Sequence, residues 1–172
     1  MANTFKLIES KTLDSNTSSF NFTSIPSTYT DLVLYVSTRN VGTTEQWLSV
    51  GFNNNTSTYS MLLMWYDGGT LRGAAPGDQP PFLSSLADKN SPANTWSNGQ
   101  IYIYNYASAI GKSYTGWSAQ AATTSSNSYW GFSGSKWANT AAISTINITT
   151  RQSPNNVIAS GSTFYLYGIK NS

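Results

Sequence analysis

The chain predicts an all-β fold: one domain over residues 1–172, built as an antiparallel two-sheet β-sandwich of jelly-roll type. Three observations carry this expectation. Period-2 alternation of apolar and polar residues recurs from end to end, with no convincing helical stripe. The composition sets 27 Ser, 21 Thr and 17 Asn against 11 Tyr, 7 Phe and 6 Trp, a mixture suited to half-buried strands joined by tight turns. About nine short strands in a chain of this length fit an eight-stranded jelly roll best, with an up-and-down barrel as the alternative.

Phe5 to Glu9 is the first expected strand. Ser18 to Ser24 follows, with Phe20 and Phe22 on one face. Thr30 to Arg39 sets Leu32, Leu34 and Val36 against Val33 and Tyr35. Gln46 to Phe52 sets Leu48 and Val50 against Trp47. Tyr59 to Tyr66, Gly99 to Tyr106, Tyr114 to Ala121, Ile143 to Arg151 and Ser162 to Ile169 complete the main set. Phe82 to Leu86 and Tyr129 to Phe132 carry weaker strand patterns. Between them stand turn signals: Ile25-Pro26-Ser27-Thr28, Asn53-Asn54-Asn55, Asp67-Gly68-Gly69 and Asn98-Gly99. Gly73 to Pro81 holds too much Pro and Gly for a central strand and reads as the longest loop.

The chain has no His, no Cys, and only 9 Lys+Arg and 7 Asp+Glu. Imidazole and thiol groups supply much of the titration, metal binding and nucleophilic attack in enzymes, so the reading is a non-enzymatic protein without cofactor or metal. The acids Glu9, Asp14, Asp31, Glu45, Asp67, Asp78 and Asp88 include no pair spaced for glycoside hydrolysis. Ile110-Gly111-Lys112-Ser113 mimics the end of a P-loop, but Tyr106 stands where the motif needs glycine and a strand pattern follows the lysine. The basic residues are scattered, so no nucleic-acid partner is expected. The apolar run Met61 to Tyr66 is too short to cross a bilayer, and the N-terminal residues lack a signal-peptide pattern. Synthesis in a cytoplasm is the expectation.

The aromatic strands point to assembly. In Ile101-Tyr102-Ile103-Tyr104-Asn105-Tyr106 the isoleucines take one face, and Tyr102, Tyr104 and Tyr106 the other. Tyr165 and Tyr167 alternate in the same way with Phe164 and Leu166. A half-exposed strand should be polar on its second face. These five tyrosines are therefore the candidate interface, covered either by a loop or by another subunit. A sugar-stacking platform including Trp117, Trp130 and Trp137 is a third possibility. Scarce charge for protecting sheet edges adds to the case for a homo-oligomer.

The segment Phe20 to Arg39, with Phe20-Asn21-Phe22-Thr23-Ser24-Ile25-Pro26-Ser27-Thr28-Tyr29-Thr30-Asp31-Leu32 at its centre, resembles a pattern common in tailed-bacteriophage virion proteins. Gly51-Phe52-Asn53 with Tyr59-Ser60, Trp137-Ala138-Asn139 leading to Ile143-Ser144-Thr145-Ile146, and Gly161 to Ile169 extend it. The resemblance implies a virion surface protein with a decoration, tail or fibre role. The expectation is a capsid decoration (cement) protein, a homotrimer bound over junctions of the major capsid protein. Read from Met1, the chain shows no coiled-coil shaft, which points toward decoration. The alternative is a host-recognition module of a tail fibre or spike that binds surface polysaccharide.

Overall fold

In the computed structural model the described residues are 4–42, 46–67, 69–75, 77, 80, 82–83, 86–87, 91–120, 129–151 and 157–170. Of the candidate acids, Glu45, Asp78 and Asp88 lie outside them, as does part of the expected Gly73 to Pro81 loop. Among the described residues there are twelve strands and no helix: β1 (Phe5–Thr12), β2 (Ser19–Phe22), β3 (Asp31–Thr38), β4 (Leu48–Phe52), β5 (Tyr59–Asp67), β6 (Thr70–Ala74), β7 (Phe82–Leu83), β8 (Ser97–Ile103), β9 (Lys112–Ala119), β10 (Tyr129–Trp137), β11 (Ile146–Thr150) and β12 (Thr163–Ile169).

They form an eight-stranded sheet, β1-β12-β3-β8-β9-β10-β5-β6, and a four-stranded sheet, β2-β11-β4-β7. Outer strands pair with outer and inner with inner: β1 with β12, β2 with β11, β3 with β8, β4 with β7, all antiparallel. That nesting is the jelly-roll arrangement, a long hairpin folded over into two layers. The hairpins β5–β6 and β9–β10 then widen one layer beyond β8. Two separate sheets rule out the barrel.

Alternation decides which side chains meet between the layers. Leu32, Leu34, Ile101, Ile103, Phe164 and Leu166 from the large sheet face Phe22, Leu48, Val50, Phe52, Ile146 and Ile148 in one core, each almost wholly buried. Farther along, Phe52 packs on Tyr59, Tyr114 and Trp137, with ring centroids 6.0, 5.4 and 5.6 Å away.

The corner joining β2 to β3 is the segment that carries the Ile-Pro-x-x-Tyr-Thr-Asp pattern, and its residues are structural. Ile25 is buried, and Tyr29 lies over Gly168, where a Cβ would collide with the ring. Asp31 Oδ1 accepts from the Asn105 amide at 2.7 Å.

Several expectations need correcting. β8 ends at Ile103, because residues 104–107 turn, with Asn105 at φ 48°. Tyr106 therefore faces the core and is fully buried, not part of an outer tyrosine row. A buried hydroxyl without a partner costs about 1–3 kcal/mol; this one donates to the Pro26 carbonyl and accepts from the Tyr29 amide. Asn98 and Gly99 lie inside β8 rather than in a turn. Thr70–Ala74 is a strand where a loop was expected to begin at Gly73, since it pairs with β5, Asp67 standing opposite Thr70; of the expected Asp67-Gly68-Gly69 turn, Gly68 lies outside the described residues. Lys112 opens β9 with its ammonium buried against the Ser108 and Ile110 carbonyls, so the P-loop-like tetrapeptide closes a loop.

Candidate functional site

The outer face of the large sheet is where the aromatic residues gather. Register puts Tyr165 of β12 beside Tyr35 of β3, then Gln100 of β8, Trp117 of β9, Phe132 of β10 and Met64 of β5. This row crosses six strands, roughly 24 Å at normal strand spacing, and none of its members is charged. Its aromatic members range in exposure from Tyr35 at 38% to Phe132 at 50%, and Gln100 between Tyr35 and Trp117 is half-buried. A second row, Leu7, Tyr167, Val33, Tyr102, Thr115, Gly134 and Leu62, runs parallel. Trp130, stacked on Tyr66 at 5.9 Å and 11°, extends the apolar surface toward the exposed Leu71 of β6.

Four of the five candidate tyrosines lie on or beside this face. Tyr165 is exposed; Tyr167 is half-buried, edge-on to Phe5 and Tyr35 at 6.4 and 5.9 Å. Tyr102 is half-buried too, and Tyr104, just past the strand end, packs on it at 4.6 Å. Burial, then the hydrogen bond to Asp31 and its charge, push the Tyr102 phenol up to about 12. Tyr106 is the exception, being in the core. Trp137 also leaves any stacking platform, because it is 1% exposed between the sheets.

Sequence reading missed Tyr35, Phe132, Met64 and Leu62 as surface residues. Trp117 was visible as the lone aromatic on the second face of its strand. The others could have been found only by pairing β10 with β5, and β3 with β12. Edges contribute less than expected: β1 is blunted by a bulge between Leu7 and Glu9 and by Lys6 and Lys11. The case for assembly therefore rests on the face.

Among the described residues no three His, Cys, Asp or Glu side chains come together as a metal site. Asp31, a buried acid, spends both carboxylate oxygens on Tyr102 and Asn105. No protein-family model, curated protein or solved structure matches this chain.

Proposed function

We propose that this chain is a non-enzymatic structural protein of a tailed-phage particle. In this reading it is a capsid decoration protein that packs against its own copies as a trimer and against the major capsid protein. The observation that supports this most is the uncharged row Tyr165, Tyr35, Gln100, Trp117, Phe132 and Met64 across the outer sheet face. Folded monomers rarely leave so extended a surface of aromatic and apolar side chains, broken here only by Gln100 within the row, in water. Aromatic side chains held rigidly by a sheet are also the kind of anchor that dominates protein interfaces. Full burial of one such side chain is worth about 1.5–3 kcal/mol, so a few of them against a partner offset the entropy of association. The phage assignment comes from the Phe20 to Arg39 resemblance.

The test is the double variant Trp117→Ser with Phe132→Ser. Both side chains face solvent, so the sandwich should keep its circular-dichroism spectrum. Binding to particles that lack the protein should be lost. Unchanged binding would overturn the assignment of this face. Normal particle assembly with lost adsorption to host cells would instead move the protein to the host-recognition class.

A further inference from the structure

On the other side of the sandwich, the outer face of the small sheet has the opposite chemistry. Asn21 of β2, Asn147 of β11 and Gly51 of β4 stand in one cross-strand row. Together with the turn residues Asn54 and Asn55, and with Pro80, they line a groove of about 280 Å³. No Lys, Arg, Asp or Glu is among the described residues that line it.

The amides are held in fixed positions. Asn147 Nδ2 donates to Asn21 Oδ1 at 3.0 Å and to Asn54 Oδ1 at 2.6 Å, while Asn147 Oδ1 accepts from the Asn54 backbone amide at 2.7 Å. Asn55 Oδ1 accepts from the Ser57 amide at 2.8 Å. Asn21, Asn54 and Asn55 thus each have their carbonyl oxygen engaged, and among the described residues none of their NH₂ groups has a partner. Gly51 forms the buried floor, so backbone rather than a side chain sits at the base.

We infer that this groove binds one unit of a neutral glycan. Preset NH₂ donors and nearby hydroxyls match sugar hydroxyls, which both donate and accept. The glycine floor and Pro80 leave room for the CH face of a pyranose ring. The absence of charge among the described lining residues disfavours phosphate, nucleic acid and acidic sugars. The volume of about 280 Å³ lies just below the usual ligand-pocket range of about 300–1,000 Å³, which suits a single ring of a chain that continues along an open groove. Because the groove and the aromatic face belong to opposite layers, one can hold a particle while the other holds sugar. The site does not depend on the decoration role.

The experiment uses the full chain on an array of neutral mono- to tetrasaccharides built from glucose, galactose, mannose and N-acetylglucosamine, followed by calorimetry on the best ligand. Gly51→Ala adds a methyl group on the floor, whose nearest neighbours at 3.7 Å are in ordinary van der Waals contact, so the fold tolerates it. Asn21→Ala removes one free donor, and with it the acceptor of Asn147 Nδ2, on an exposed strand position. Each variant should weaken binding by about tenfold or more, Asn21→Ala by loss of a hydrogen-bonding site and Gly51→Ala by filling the floor, with little change in melting temperature. Trp117→Ser with Phe132→Ser should bind sugar as the wild type does. Three results would overturn the inference: no neutral sugar bound at millimolar concentration, a preference for anionic glycans, or binding lost in the Trp117/Phe132 variant but kept in the two groove variants.

Discussion

The Tyr102 hydroxyl donates a 2.8 Å hydrogen bond to Asp31 Oδ2, joining neighbouring strands β8 and β3 where the β2–β3 corner enters the large sheet. The same carboxylate receives the Asn105 amide, so one side chain holds both the end of β8 and the turn that follows.

That pairing gives the fold an alkaline limit. The folded phenol of Tyr102 is pushed up to about 12 from a usual value near 10, by burial first and then by Asp31. The unfolded chain therefore loses this proton at lower pH than the folded chain. Stability from Tyr102 is complete below about pH 10 and is lost as pH rises through about 12. Urea unfolding of wild type and Tyr102→Phe across this window should show a shallower decline in the variant. Lys112, whose ammonium burial holds below the usual lysine range, is common to both chains and cancels in the difference.

Gly168→Ala should destabilise the protein by about 1–3 kcal/mol, the range for overpacking a tight core, because the new methyl group meets the Tyr29 ring. Adding Tyr29→Ala should recover part of that loss. Thermal melts of both single variants and the double variant would show non-additivity; simple addition would mean that the ring moves aside without cost.

Tyr106→Phe and Tyr104→Phe should differ although the residues are two apart. The first removes a buried hydroxyl that serves Pro26 and Tyr29, at about 0.5–1.5 kcal/mol. The second alters a side chain 41% exposed and should stay within about 0.5 kcal/mol. Equal losses in denaturant titrations would return Tyr106 to the surface.

Ile103→Ala, at a fully buried position of β8, should cost about 2–5 kcal/mol through the cavity it leaves.

Light scattering at micromolar concentration should return about three times the 18.7 kDa chain mass, as expected for a closed symmetric trimer. Trp117→Ser with Phe132→Ser should lower that mass. A wild-type mass near 18.7 kDa would count against self-assembly through the aromatic face.

Alternation in the residues themselves was enough to determine an all-β sandwich and its inward side chains, because strand periodicity is a property of consecutive residues. Alternation puts Leu32, Leu34 and Val36 on one face of their strand and Val33 and Tyr35 on the other, and separates Phe164 and Leu166 from Tyr165 and Tyr167 in the same way. The reversal between β5 and β6 was legible for a similar reason: tight connections depend on local backbone freedom, and Gly69 has φ 104°. What lies beyond a strand's end, or beside it, depends on residues far along the chain. Tyr106 turns into the core because Asn105 adopts a left-handed conformation held by Asp31, 74 positions away. Trp117 becomes part of an adhesive row only because pairing sets Gln100 on one side of it and Phe132 on the other. The amide groove needs the same long-range step, since Asn147 reaches Asn54 across 93 positions and Asn21 across 126. Local periodicity separated the two faces of each strand, and the tertiary pairing of distant strands decided which side chains share a surface.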